Sequence, residues 1–154
     1  MIQRIQTVYL LIAEILLGVL FFVPFAEIAG KEGNIYRFDI QGMSLEGAQK
    51  PDIINSSLPV IILLAISMIL ILATIFLFKN RVLQMKLSLI NIFVLLGLGV
   101  LIYYDARSSA KILSGVYSFT IYLVFPLISA ILIYLANRAI RKDELLVRSI
   151  DRIR

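Results

Sequence analysis

The chain contains no cysteine and no histidine. Without cysteine it forms no disulfide, offers no thiolate nucleophile and holds neither an iron–sulfur cluster nor a cysteine-ligated zinc. Without histidine it lacks the usual proton shuttle and the commonest metal ligand. No Gly-rich phosphate loop and no nucleophile elbow occurs, and the six acids of the outer segments (Glu27, Glu32, Asp39, Glu46, Asp52 and Asp105) match neither a calcium loop nor a paired-acid motif. They read as a solvated loop surface. No cofactor or metal is therefore expected. What the chain has in excess is apolar surface: 60% of its 154 residues are hydrophobic. One soluble core of that size cannot hide so much, whereas a bilayer buries such side chains in lipid.

The apolar residues fall into four runs, at about 5–24, 58–78, 87–104 and 116–137. At 1.5 Å per residue, runs of roughly 18–22 residues cross the ~30 Å hydrocarbon layer as helices, the third barely so. Helices are required because an unpaired backbone cannot face lipid. The fold class expected is all-α: a four-helix transmembrane bundle forming a single domain, with a short β element in the first outer loop. The first run is long for a signal-peptide core, and Glu27 stands where a small residue belongs before a cleavage site, so an uncleaved anchor is expected. Ser57 and Pro59 suit the N-cap and first turn of the second helix.

The net charge of +5 lies mostly beside the apolar runs, where topology signals sit, and this argues against nucleic acid as partner. With the N-terminus inside, the inner segments carry Arg4; Lys79, Arg81 and Lys86; then Arg138, Arg141, Lys142, Arg148, Arg152 and Arg154. These are 10 of the 15 basic residues, so both termini are expected in the cytoplasm. The outer segment 25–57 is long and polar. Within it Asn34–Ile40 alternates, with Tyr36, Phe38 and Ile40 on one face, which predicts an ordered strand, half of a hairpin, resting that face on the mouth of the bundle. The second outer segment, 105–115, reads as a short loop. The tail 138–154 reads as helix from Ile140, with Leu146, Ile150 and Ile153 on one stripe and Glu144 four residues before Arg148.

The intramembrane polar residues singled out are Glu14, Ser67, Asn91 and Ser129. Glu14 lies near mid-membrane, where a charge is costly, so it is expected to be neutral and to face the other helices. Gly18, one turn along, would let a neighbouring helix approach. Ser67, Ser129 or the carbonyl oxygen of Tyr122, left free by Pro126, are its candidate partners. A proton or cation pathway is one reading of Glu14. A hydrogen-bonded packing residue is the other, and a single acid without a second intramembrane charge makes a poor relay. Asn91 could bond across to Thr74, as structural glue.

The opening Met1-Ile2-Gln3-Arg4-Ile5-Gln6-Thr7-Val8-Tyr9-Leu10, the inner Leu83-Gln84-Met85-Lys86-Leu87-Ser88 and the ending Arg138-Ala139-Ile140-Arg141-Lys142-Asp143-Glu144-Leu145-Leu146-Val147-Arg148-Ser149-Ile150-Asp151-Arg152 resemble domain of unknown function 4293, a family of small four-span membrane proteins from Bacteroidota. The resemblance covers essentially the whole chain. It implies a bacterial inner-membrane location and no particular activity. The layout is also similar to that of claudin-like bundles, but their Trp and Cys residues are missing, so only topology is compared. The function expected is that of a non-enzymatic accessory or scaffold subunit of a membrane assembly. Its partners would be the lipid bilayer and a membrane protein or an acidic cytoplasmic partner, the latter meeting a basic platform of Arg4, Lys79, Arg81, Lys86, Arg141, Lys142, Arg148 and Arg152. The alternative is a small transporter or channel using Glu14. An enzyme at the outer face would have to work with Asp, Glu, Lys, Tyr or Ser in no recognisable grouping.

Overall fold

A computed structural model of the protein describes residues 5–30, 34–46, 55–78, 80–113 and 115–151, with 55–56 and 146–151 as backbone only. Four helices pack side by side: α1 (Ile5–Val19), α2 (Leu58–Phe76), α3 (Arg81–Ile112) and α4 (Phe125–Asp151). Helix α4 lies between α1 and α3, and α3 lies between α4 and α2; α1 and α2 touch less than these neighbouring pairs do. Among the described residues, α2, α3 and the segment Ile121–Leu145 are long and apolar enough to cross a membrane.

The burial pattern is that of helices in lipid. Helix α2 buries Val60, Leu64, Ser67, Ile71 and Thr74, and α3 buries Gln84, Ser88, Asn91, Leu95 and Leu98, each at i, i+4, i+7 spacing. The outward faces carry Ile69 at 64% and Phe93 at 73% exposure. Polar groups turn inward and large apolar ones outward, the reverse of a helix in water.

Helix α1 has 15 residues, about 22 Å long, and stops short of the expected end at Pro24. One further turn continues it, with the amides of Leu20, Phe21 and Phe22 donating to the carbonyls of Leu17, Gly18 and Val19. At the longer rise of this i→i−3 turn the apolar rod reaches about 28 Å. Helix α3 is longer than its apolar run: 32 residues instead of 87–104, because hydropathy marks only the apolar part while helical hydrogen bonding continues past it. The expected loop at 105–115 is therefore mostly helix.

The β structure is larger than a single hairpin. Strands β1 (Ala26–Ala29), β2 (Ile35–Asp39), β3 (Gly42–Leu45), β4 (Asn55–Ser56) and β5 (Val116–Phe119) form one antiparallel sheet in the order β4-β3-β2-β1-β5. Residues 116–119 were expected to begin the fourth span. Instead they pair with β1, Ala29 against Val116 and Ala26 against Phe119, and α4 starts only at Phe125 after a 3-10 turn, Ile121–Val124. The sheet joins both segments at one end of the helices.

Strand β2 places the expected face inward: Phe38 and Ile40 are buried and Tyr36 half-buried, although Ile40 itself lies in the turn after the strand. Phe38 meets Phe25 edge-on at 6.0 Å, and the Phe25 amide donates to the Phe38 carbonyl at 2.7 Å. The two-residue turn Ile40–Gln41 closes with the Gln41 amide on Asp39 Oδ1 at 2.8 Å, and Gly42 follows at φ 126°, a conformation that favours glycine. A cross-strand pair, Arg37 to Glu46 at 2.7 Å, is exposed and contributes at most about 1 kcal/mol. Thr120 locks the two halves of the sheet to the chain leaving α1. Its hydroxyl is shared between the carbonyls of Pro24 (2.6 Å) and Phe25 (2.9 Å), and its amide donates to the latter.

Candidate functional site

Ser57 occupies the N-cap position of α2 but makes no side-chain capping bond; Pro59 in the first turn needs none. From that end inward, α2 and α3 are joined by two amide side chains that each donate to a carbonyl of α2. Asn91 Nδ2 reaches Ser67 O at 3.1 Å, not Thr74 as expected. The Thr74 carbonyl is taken by Gln84 Nε2 at 2.7 Å, while the Thr74 hydroxyl bonds back to Leu70 O within its own helix. Gln84 and Ser88 were not singled out from the sequence as intramembrane residues. The signal was present, since with Asn91 they repeat at i, i+4, i+7 on an otherwise apolar helix.

The same column holds unpaired polar atoms. The oxygens Ser67 Oγ, Gln84 Oε1, Ser88 Oγ and Asn91 Oδ1 are buried without a hydrogen-bond partner among the described residues, as is Glu14 Oε2. Such groups are uncommon inside proteins. Replacing Gln84 or Asn91 by Leu is expected to destabilise the α2–α3 contact by about 0.6 and at most ~1.7 kcal/mol, the span measured for interhelical bonds in membranes. Unfolding in graded SDS would measure it. A loss more than twice as large would show that these amides hold more than the neighbouring helix.

Glu14 sits at the margin of the packed stripe of α1, which is formed by Leu10, Ala13 and Leu17, and is half-buried. Its expected partners are elsewhere. Ser129 on α4 donates to the carbonyl of Ala13 at 3.4 Å, a long bond; the Ser67 carbonyl accepts from Asn91 of α3, and its hydroxyl meets no partner among the described residues. The Tyr122 carbonyl is not free, because the Phe125 amide bonds to it; Pro126 falls in the first turn of α4, where its missing amide costs nothing. A methyl group added at Gly18, Gly97 or Gly99 would touch nothing within 4 Å, so none of these glycines marks a close helix approach.

At the end opposite the sheet, the turn between α2 and α3 meets α4. Arg81 Nη1 donates to the Asp143 carbonyl at 3.0 Å and lies 3.8 Å from Glu144 Oε2. Asn137 Nδ2 reaches Met85 O at 3.3 Å one turn closer to the membrane. Lys86, Arg141 and Lys142 are exposed. Arg148 lies on the helix with only its backbone described, and Arg4, Lys79 and Arg152 lie outside the described residues. The tail continues α4 without a break to Asp151, as its pattern predicts for a helix, while the stripe of Leu146, Ile150 and Ile153 and the Glu144–Arg148 pair fall beyond the described side chains.

Residues 2–153 match the family described as Domain of unknown function (DUF4293). The chain belongs to that family. No curated protein matches it. Membership agrees with the resemblance of the two chain ends, and its description names no chemistry. Among the described residues, no group of three or more Asp or Glu could hold a metal ion.

Proposed function

We propose that the protein is a four-span, non-enzymatic subunit of a bacterial inner-membrane assembly, with both termini in the cytoplasm, and that it presents α4 to an acidic partner. The observation that carries this reading is the Arg81 contact. Helix α4 leaves the bundle as a continuous rod, and a side chain from the neighbouring turn grips its backbone at Asp143. A projecting helix anchored in this way keeps its direction and displays Arg141 and Lys142 to the cytoplasm. Basic residues so placed also gain about 1 kcal/mol each from an anionic leaflet. Fixed geometry is what a protein partner can use in addition.

The test removes residues 145–154, replaces Arg141 and Lys142 by Gln, and keeps the Arg81 contact. Gentle detergent purification of the tagged full-length chain from its native membrane should recover a stoichiometric partner, and the shortened chain should lose it while remaining folded. A partner retained by the shortened chain would end the docking reading.

A second reading, a small transporter or channel, draws support from the buried and unpartnered Glu14 Oε2. It expects ion flux in liposomes that Glu14→Gln abolishes without unfolding the protein, since Gln keeps both a donor and an acceptor. Flux unchanged by that substitution would dismiss it.

A further inference from the structure

A cleft of about 310 Å³ opens between α3 and α4 at the end away from the sheet, lined by Met85, Leu89, Tyr134, Asn137, Arg138 and Arg141. Its volume is at the lower end of the roughly 300–1,000 Å³ usual for small-molecule sites. The two walls differ. On α4, Tyr134, Asn137, Arg138 and Arg141 fall at i, i+3, i+4 and i+7, so they stand on one face of the helix. On α3, Met85 and Leu89 are one turn apart and supply an apolar wall. The Asn137–Met85 bond crosses between the helices beside the cleft and sets its level. Leu89 and Tyr134 lie on the membrane side of that level and are 49% and 57% exposed. Arg141 lies on the water side.

Neither Arg138 nor Arg141 forms an ion pair among the described residues, whereas Arg81, at a similar level on the next helix, is engaged by Asp143 and Glu144. Two exposed guanidinium groups, one helical turn apart, thus face a cleft whose other wall is apolar and opens to the membrane side. Arg binds phosphate oxygens in a planar, bidentate fashion, and Tyr is suited to the boundary between headgroup and chain. Basic pockets between membrane helices hold lipid headgroups in this manner.

We infer that this cleft is a binding site for one anionic glycerophospholipid, its phosphate between Arg138 and Arg141 and one acyl chain against Leu89 and Tyr134. The inference shares with the proposed function the membrane and Arg141, and it does not depend on any protein partner. A bound lipid at this position would join α3 to α4 beside the root of the projecting helix.

Native mass spectrometry of the full-length protein in neutral detergent, titrated with phosphatidylglycerol, phosphatidylcholine or glycerol 3-phosphate, tests it. One phosphatidylglycerol per chain is expected, held at least fivefold more tightly than phosphatidylcholine, with glycerol 3-phosphate unable to displace it. Arg138→Gln with Arg141→Gln should weaken retention at least tenfold, while Arg107→Gln with Lys111→Gln, which removes the same charge near the sheet, should not. Leu89→Trp fills the apolar wall without touching charge, and it too should reduce retention. Size-exclusion profiles establish that each variant is folded. Equal binding of the two lipids, equal loss in both charge-removed variants, or full displacement by glycerol 3-phosphate would overturn the site as an anionic-lipid cleft.

Discussion

Replacing Phe38 by Ala should open the sheet while leaving the helices in place. Phe38 is completely buried between its strand neighbours Ala26 and Met43 and against Phe25. Truncating a fully buried Phe costs about 3–5 kcal/mol, from lost burial plus the cavity left behind. A small sheet has few other apolar anchors to absorb such a loss. At roughly a factor of ten per 1.4 kcal/mol, amide-exchange protection of Tyr36, Phe38 and Met43 should fall about a hundredfold or more if the strands open together. Protection within α2 and α3 should persist, since their contact rests on the Gln84 and Asn91 bonds and on Leu95 and Leu98. Unchanged protection in β2 would contradict the placement of Phe38 as the anchor of the sheet on the bundle.

Gly115→Ala should separate β5 from β1. A methyl group at this position would collide with the carbonyl oxygen of Ala29 and crowd the backbone of Gly30. The contacts are backbone, which cannot rotate away, so the strand must shift, at about 1–3 kcal/mol. The absence of native cysteine makes a clean assay possible. Glu27 and Ser118 are exposed partners across β1 and β5, and directly opposed antiparallel residues lie within disulfide range. With Glu27→Cys and Ser118→Cys in place, oxidation should be fast with Gly115 and at least severalfold slower with Gly115→Ala. Equal rates would mean that β5 tolerates the methyl group and that the strand pairing is looser than its register indicates.

These two residues show how unevenly the sheet can be read from the chain. Phe38 is legible, because the alternation of Tyr36, Phe38 and Ile40 marks one face for burial wherever the strand packs. Gly115 and the strand after it are not. Val116-Tyr117-Ser118-Phe119 is aromatic and β-branched, but it adjoins an apolar helix, and hydropathy alone merges the two. Its partner is β1, nearly ninety residues earlier, and no local pattern encodes a pairing across that distance. The intramembrane polar residues divide in the same way. Their inward orientation follows from the cost of facing lipid. Which carbonyl each amide meets depends on the axial offset between helices: Asn91 finds Ser67, and Gln84 takes Thr74.

By itself, then, the sequence determined the medium, the number and approximate place of the apolar runs, the uneven distribution of basic residues and the helical tail, because each is a local property of composition or period. The tertiary structure decided what depends on distant parts meeting. It drew a strand from each of two separate segments into one sheet, let α3 run beyond its apolar run, and left Glu14 at the margin of the bundle without the partners its depth suggested. It also brought Arg81 to the backbone of α4, and set Arg138 and Arg141 beside an apolar wall. The physical reason is common to all of these. Burial in lipid constrains each helix by its own side chains, whereas register, pairing and clefts arise only when one helix is placed against another.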